Sequence, residues 1–299
     1  MADPFVIETV ELRKRYDQVE ALRGLNLQVP AGSIFGFLGR NGAGKTTAMK
    51  VLLGMTRPTS GEARVFGRVP HLSGEGVDIR RRAAFVSEDK SLYESMAVEG
   101  LIRFTASFFP RWRADLETRY LRDFELPQRA AIRTLSRGMR TRLALLLAMC
   151  RGAELLILDE PTSGLDPAAT EQVLQALIAH VATEATTVFF SSHQIADVDQ
   201  IADHVAIIDH GRTAVSGALD DLRQNYRRIQ LVFDDAAPET VFNAPGVTRV
   251  RRDGRVLTLL STADTDQVVH EARALAPASM DVFPVSLKEI FLETVNAED

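Results

Sequence analysis

Residues 34–47 read IFGFLGRNGAGKTT, and the organisation of the whole chain can be worked out from them. The run begins with apolar residues, which is typical of a parallel strand buried on both faces. A glycine-rich turn follows, in which Gly39, Gly44, Lys45 and Thr46 fit the pattern G-x-x-x-x-G-K-[ST]. Glycines let backbone N–H groups curve around a polyphosphate because no Cβ atom is in the way. The stretch therefore predicts a phosphate-binding loop after a buried strand.

The residues after this loop predict a helix that stops at Gly54, so the positive end of its dipole would face the phosphates. In such a loop, Lys45 is expected to contact the β- and γ-phosphates, and the Thr46 hydroxyl is expected to bind Mg²⁺. The alternative is a glycine-rich turn without a ligand. Strand, loop and helix follow one another as the phosphate site requires, which favours the first interpretation.

Composition limits the remaining possibilities. The 299 residues contain 35 Lys and Arg against 40 Asp and Glu, a net charge of −5, so we expect no nucleic-acid partner. Cys150 is the single cysteine, so no intrachain disulfide can form, and a buried structural thiol is expected. No segment approaches the roughly 18 apolar residues of a membrane helix, which predicts a cytoplasmic protein.

The pattern along the chain predicts an α/β fold with additions. Residues 5–37 alternate as antiparallel strands, residues 57–91 are rich in turns and end in a strand at 83–86, and residues 101–150 are helical. Arg80, Arg81 and Arg82 form a run that is either a solvated face or a partner contact. Strand patterns at 155–158, 187–191 and 205–209 alternate with helical ones at 168–182 and 194–202. This alternation predicts a parallel, doubly wound sheet.

The pattern of the sequence changes after Asn225, where short strand and turn signals begin. Strand patterns at 229–233, 247–251 and 255–261 surround an Asp253-Gly254 turn, and a helix at 264–275 and a strand at 280–283 follow. Ser286 and Glu289 form a capping box that opens a last helix. The order strand, short helix, hairpin, helix, strand predicts a small α+β domain similar to the ferredoxin-like arrangement. We therefore predict domains at 1–225 and 226–299.

Two further segments carry chemistry. Residues 155–160, LLILDE, predict a strand ending in two carboxylates, with Asp159 on the metal side and Glu160 as a base. The alternative is a strand that ends in surface acids. In TLSRGM, residues 134–139, Ser136 is a natural N-cap and Gly138 allows close backbone approach. The alternative there is an ordinary capped helix.

Taken together, these motifs resemble those of the ATP-binding cassette (ABC) ATPases over roughly residues 5–222. Residues 39–47 match Walker A, 135–139 the LSGGQ signature, 155–160 Walker B, 163–166 the D-loop, and His193 in SSHQ the switch histidine. Tyr16 lies where the family has its adenine-stacking aromatic; by spacing alone it could equally cover a sheet edge. The resemblance implies nucleotide binding by Tyr16, Gly39, Asn41, Gly42, Gly44, Lys45, Thr46, Thr47, Ser136, Gly138 and Asp166.

The sequence departs from the family pattern twice. The signature reads LSRGM, which keeps the serine and second glycine but places Arg137 and Met139 at the other two positions. At the Q-loop, Glu88 aligns with the usual glutamine. Its carboxylate could reach Mg²⁺ through water but adds negative charge near the γ-phosphate.

The resemblance implies a P-loop NTPase (RecA-like) fold with an antiparallel β-subdomain, a helical subdomain inserted at about 92–150, and the small C-terminal α+β domain. It implies ATP and Mg²⁺ as cofactors, with Thr46, Asp159 and Glu88 on the metal, Glu160 as catalytic base and His193 at the γ-phosphate. Two cassettes would sandwich two ATP molecules, so a homodimer or a paired cassette ATPase is expected.

For the biological role, the resemblance implies the ATPase subunit of a bacterial transporter, of exporter type, held on the inner face of the cell membrane by a separate integral membrane permease. One alternative is a non-transport ABC ATPase that acts on ribosomes or DNA. A P-loop small-molecule kinase is disfavoured by the signature, D-loop and switch histidine occurring together.

Overall fold

The structure is a computed structural model that describes residues 4–242, 244–262 and 265–295. Contacts between Cα atoms divide the chain into two compact units, and the division lies between Ser216 and Gly217. The sequence predicts this boundary at Asn225, nearer the C-terminus. The structure therefore assigns the helix Leu219–Asn225 to the second unit.

The first unit has two sheets, seven α-helices and one short 3-10 helix (Ile132–Thr134) within the described residues. Its elements in chain order are β1 (Phe5–Tyr16), β2 (Val19–Pro30), β3 (Ile34–Leu38), α1 (Lys45–Leu52), β4 (Ser60–Val65), α2 (Glu75–Arg82), β5 (Ala83–Val86), α3 (Val98–Ala106), α4 (Ala114–Asp123), α5 (Arg137–Met149), β6 (Leu155–Leu158), α6 (Pro167–Glu184), β7 (Thr187–Ser192), α7 (Ile195–Ile201), β8 (His204–Asp209) and β9 (Arg212–Ala218). The last two residues of β9 lie beyond the division between the units.

The larger sheet determines the position of the phosphate loop and of the other predicted site residues. Its strand order is β5-β6-β7-β3-β8-β9, and β3 runs parallel to both of its neighbours, β7 and β8. Every residue of β3, β6 and β7 is buried, which explains the continuous apolar runs of β3 and β6 and the apolar centre of β7. Parallel strands end at one edge of a sheet. The loops after β3, β6 and β7 therefore emerge side by side, as in other doubly wound folds.

The smaller sheet is antiparallel, with the order β2-β1-β4. Its inner face and α1 contribute to one core with the larger sheet. The sequence does not predict β4 and α2, which fall in the turn-rich segment 57–91. Four of the six β4 residues are exposed and only two residues of α2 are buried, so neither element has a strong apolar period.

The helical insertion, α3 to α5, is tied to α6 by one buried and one partly buried polar contact. The Tyr120 hydroxyl lies 3.1 Å from His180 Nδ1, and Arg113 forms an ion pair with Glu184. Burial lowers the pKa of His180 to about 4, so its ring is neutral at pH 7. Cys150, at the end of α5, is buried as predicted, and burial raises the pKa of its thiol.

The second unit contains α8 (Leu219–Asn225), β10 (Arg227–Val232), β11 (Val247–Asp253), β12 (Val256–Ser261), α9 (Thr265–Arg273), β13 (Ser279–Pro284) and α10 (Leu287–Val295). Its four strands form an antiparallel sheet with the order β11-β12-β10-β13. The predicted short helix before the hairpin is wrong: the described residues between β10 and β11 form no helix. Pro238 and Pro245 interrupt that segment.

The capping box at the start of α10 is confirmed. The Ser286 backbone N–H donates to Glu289 Oε2 (3.0 Å), and the Glu289 N–H donates to Ser286 Oγ (3.3 Å). Across the described ranges, no helix is both long and apolar enough to span a membrane.

Candidate active site

The phosphate loop has the shape that its glycines predict. Gly42 and Gly44 have φ values of 82° and 108°. A Cβ atom on Gly44 would lie 2.6 Å from the Ala21 carbonyl oxygen, so only glycine fits there. The loop forms one wall of a cavity of about 280 Å³. Its lining comprises Ala21, Arg40, Asn41, Gly42, Gly44, Lys45, Thr46, Thr47, Glu88, Asp159 and Glu160.

Lys45 is held by an acid in this structure. Its ammonium donates to the Gly39 carbonyl oxygen (2.7 Å) and lies 3.1 Å from Glu160 Oε1. Both side chains are 7% exposed. Oε1 accepts no hydrogen bond among the described residues, so the contact with Lys45 is an ion pair without hydrogen-bond geometry. The lysine of the phosphate loop thus has an anionic partner already in place.

Oxygen ligands suited to a hard cation meet at the floor of the cavity. Thr46 Oγ1 donates to Asp159 Oδ2 at 2.7 Å, and Ser191 Oγ donates to Asp159 Oδ1 at 2.7 Å. The described residues contain no group of three or more His, Cys, Asp and Glu side chains that would enclose a metal. One hydroxyl and one carboxylate fit Mg²⁺, which in such sites keeps waters and substrate phosphates as its other ligands.

Glu160 is fixed from several sides. Its backbone has φ = 49°, a left-handed conformation that is uncommon outside glycine, and its N–H donates to Ser191 Oγ at 2.9 Å. His193 Nδ1 lies 2.8 Å from Oε2, and the His193 backbone N–H donates to the same oxygen at 3.3 Å. Since a carboxylate only accepts, the ring contact requires the tautomer with a proton on Nδ1. The carboxylate therefore lies between Lys45 and His193.

Six predicted residues do not line this cavity: Tyr16, Gly39, Ser136, Gly138, Asp166 and His193. Gly39 and His193 contact residues that do line it, Lys45 and Glu160. Tyr16 is exposed, with the Lys14 ammonium 4.7 Å from its ring centroid. Ser136 is the N-cap of α5, as predicted, accepting from the Met139 N–H, and Asp166 caps α6 by accepting from the Ala169 N–H. The structure gathers the Walker A and Walker B residues with His193 and leaves the signature and D-loop residues elsewhere.

The structure also shows functional neighbours that sequence reasoning missed. Lys90 is buried, and its ammonium donates to the carbonyl oxygens of Glu88 (3.1 Å) and Glu160 (3.3 Å). Burial lowers the pKa of Lys90, as does Arg137, while the carboxylates of Glu88, Asp159 and Glu160 raise it in part. No local sequence pattern distinguishes this lysine from an exposed one.

A second missed contact stabilises the loop that carries His193. The buried Thr162 hydroxyl donates to the Asp197 carboxylate on α7, and burial raises the pKa of Asp197. The contact joins the residues after Glu160 to the helix after His193. Both residues lie close to a motif residue in sequence, at i+2 of Glu160 and i+4 of His193, but only the fold brings them together.

A phosphate loop between a buried strand and a helix, beside a second strand that ends in two acids, defines a P-loop nucleoside triphosphatase. The ABC transporter family model matches residues 22–163. The bacitracin transport ATP-binding protein BcrA of Bacillus licheniformis is 34% identical over 226 residues, 75% of this chain and 73% of that protein. The chain belongs to the ATP-binding proteins of ABC transporters and is an ATPase coupled to transport.

One further relative is similar along nearly the whole chain. The daunorubicin/doxorubicin resistance ATP-binding protein DrrA of Streptomyces peucetius is 35% identical over 305 aligned positions, covering 96% of this chain and 91% of that protein. A solved structure described as an ATP-binding subunit of an ABC transporter superimposes with a TM-score of 0.66 at 29% identity, covering 73% of this chain and 92% of the other. The predicted α/β cassette fold is confirmed.

Proposed function

We propose that this chain is the ATPase subunit of an exporter and that a separate integral membrane permease provides the transport path. The supporting observation is the similarity to the drug-resistance ATP-binding protein along 96% of the chain, which includes the second unit. The alternative role on ribosomes or DNA is not favoured, because the similar proteins are named for transport and resistance. The chain would lie on the cytoplasmic face of the membrane through its permease.

An aromatic cluster on the helical insertion is the surface that we propose for the permease. Tyr93, Phe104 and Phe108 are exposed, and their rings pack edge to face at 5.8 and 5.0 Å between centroids. Contiguous exposed aromatic surface is typical of an interaction site. Tyr93 follows the segment that carries Glu88. A partner bound to this cluster would therefore contact a residue that is close in sequence to the active site.

Isolation of the tagged chain from detergent-solubilised membranes tests this proposal. A polytopic membrane protein is expected to co-purify, and Phe104→Ser with Phe108→Ser is expected to reduce its recovery at least tenfold, because about 2 kcal/mol of buried aromatic contact is lost. Met55→Ser, which also removes an exposed apolar side chain, is the matched control. Absence of any polytopic partner would contradict the permease, and unchanged recovery in the double variant would contradict this surface.

The geometry suggests how the reaction proceeds. We propose that Lys45 and the loop N–H groups bind the phosphates and Tyr16 stacks on the base. Mg²⁺, bound by Thr46 and Asp159, would neutralise phosphate charge. A phosphate that recruits Lys45 removes the partner of Glu160 Oε1, while His193 still holds Oε2. The freed carboxylate oxygen can then take a proton from the water that attacks the γ-phosphate, which leaves ADP and phosphate.

We propose that the remaining contacts come from a second cassette, in a homodimer or with a related ATPase. Ser136 and Gly138, at the exposed start of α5, and Asp166 do not line the cavity of their own chain. The N-terminus of a 13-residue helix is suited to an anion such as a γ-phosphate. Each site would then require two chains.

Glu88 lines the cavity but forms no hydrogen bond through its carboxylate among the described residues. We propose that it approaches Mg²⁺ through water. Glu88→Gln should then keep or raise the affinity for Mg²⁺-nucleotide, because a negative charge beside the triphosphate is removed. Titration with a fluorescent Mg²⁺-ATP analogue measures this affinity. A loss of tenfold or more would instead identify Glu88 as a direct metal ligand.

The second unit has its own core, formed by β10, β12 and α9, with Leu231, Leu257 and Val268 among its buried residues. All residues assigned to the nucleotide precede it. We propose that residues 226–299 form a regulatory or dimer-supporting domain that takes no part in nucleotide chemistry.

A further inference from the structure

The buried ammonium of Lys90 joins two main-chain segments of the active site. We propose that Lys90 is a positioning residue for Glu160: it holds the backbone of the catalytic glutamate and ties it to the segment that carries Glu88. The proposal rests on the proposed role of Glu160 as general base. It adds a residue outside all the motifs of the sequence.

The contacts of Lys90 are to main chain only. Nζ donates to the Glu160 carbonyl oxygen at 3.3 Å and to the Glu88 carbonyl oxygen at 3.1 Å, and the residue is 8% exposed. Within residues 4–242, 244–262 and 265–295, no carboxylate lies within ion-pair distance of Nζ. A buried lysine without an ion pair is costly and uncommon. The two carbonyl contacts are therefore the interactions that hold this buried ammonium, and both are with the backbone of the site.

Glu160 needs such support because of its backbone conformation. A left-handed conformation at a residue with a side chain persists only where its surroundings impose it. The Glu160 carbonyl accepts from Lys90 Nζ and also from the Ser163 N–H at 3.2 Å, while its N–H donates to Ser191 Oγ. Of these three hydrogen bonds to the Glu160 backbone, the one from Lys90 is made by a residue of the segment that carries Glu88. Without it, the Glu160 carbonyl oxygen loses its contact with that segment, and among the described residues the two segments stay joined only before Glu160, where the Asp159 N–H donates to the Val86 carbonyl oxygen at 2.8 Å.

The position of this peptide determines the position of the carboxylate. Oε1 lies 3.1 Å from Lys45 Nζ, and Oε2 lies 2.8 Å from His193 Nδ1. A rotation about the Glu160 backbone would move both oxygens, and a shift of about 1 Å in a reacting group can reduce turnover by about 10²-fold. Lys90 itself is held in a tight turn, with φ = 45° and its N–H donating to the Ser87 carbonyl oxygen at 3.2 Å.

Lys90→Met removes the two contacts and keeps a flexible apolar side chain. In the full-length chain, we expect kcat for ATP hydrolysis to fall about 10- to 100-fold. The affinity for a non-hydrolysable ATP analogue should stay within about threefold, since Lys90 is not assigned to the phosphates. Lys90→Arg, which keeps a cation and donors, should recover most of the loss. Lys50→Met, an exposed lysine on α1, is the matched control.

A double-mutant cycle with Glu160→Gln separates positioning from general destabilisation. If Lys90 acts through the Glu160 carboxylate, Lys90→Met should slow single-turnover hydrolysis less than threefold in the Glu160→Gln chain. Equal slowing in both backgrounds, unchanged kcat in the single variant, or a tenfold loss of analogue affinity would overturn the proposal. The last result would make Lys90 a phosphate ligand.

Two controls keep the test decisive. Thermal unfolding shows whether Lys90→Met is folded; if it is not, Lys90→Gln, which retains an N–H donor, replaces it with the same expected direction of change. Glu160→Gln by itself tests the general base separately. Normal turnover in that variant would contradict the proposed function, whereas failure of the cycle would contradict only the role of Lys90.

Discussion

Glu160→Gln is expected to leave ATP bound and to slow its hydrolysis by about 10²- to 10⁴-fold, the range for loss of a general base. The amide keeps the size of the side chain but cannot accept the proton from the attacking water. It also removes the anion that lies 3.1 Å from Lys45 Nζ, so the lysine becomes free for phosphate. ATP affinity should therefore be equal to or higher than that of the unmodified chain.

Rapid-quench single-turnover hydrolysis and equilibrium titration of ATP measure the two parts of this prediction. An ATP-bound dimer should accumulate in size-exclusion chromatography if two chains complete each site. Glu62→Gln, an exposed carboxylate on β4, is the control for loss of one negative charge. Turnover close to that of the unmodified chain would exclude Glu160 as the base.

Lys45→Met is expected to lower the affinity for ATP by at least 10- to 100-fold, because charge-assisted contacts to phosphate are worth about 1.5–3 kcal/mol. A second effect acts in the same direction. The substitution leaves the buried Glu160 carboxylate without its cation, beside the site for an anionic ligand. Hydrolysis should fall below detection at ATP concentrations that saturate the unmodified chain.

Isothermal titration with ATP and with ADP tests this expectation. Lys50→Met makes the same replacement on the same helix, so its effect on helix propensity is the same, but it removes an exposed charge. The Lys50→Met chain should therefore bind both nucleotides normally. Combining Lys45→Met with Glu160→Gln should restore part of the affinity, since the unpaired buried charge is removed. Unchanged ATP affinity in Lys45→Met would show that the lysine stays with Glu160 when nucleotide binds.

Much of the site follows from residues that are close in sequence. The phosphate loop needs one strand, one turn and one helix, and Gly42, Gly44 and Lys45 are adjacent parts of it. The N-cap at Ser136 and the capping box of Ser286 and Glu289 also depend on local backbone geometry alone. Such features are predicted reliably because both partners lie within a few residues of each other.

Weak apolar periodicity explains why the sequence does not predict two elements of the fold. β4 exposes four of its six residues and α2 buries only two of its eight, so their sequences carry little apolar pattern, and they are held by β1 and by the core beneath them. The predicted short helix before the C-terminal hairpin fails because two prolines interrupt its segment. The roles assigned to Tyr16, Ser136, Gly138 and Asp166 depend on a nucleotide and a second chain, and they stay predictions.

The sequence by itself determined that this chain is an α/β ABC ATPase, since that follows from short motifs in a fixed order, and it predicts which residues face the phosphates. Only the tertiary structure shows which charged side chains lie close together. Lys45 and Glu160 are 115 residues apart, and Lys90 and Glu160 are 70 apart, by their positions in the chain. They come together because parallel strands release their loops at one edge of the sheet, and no local pattern records that proximity.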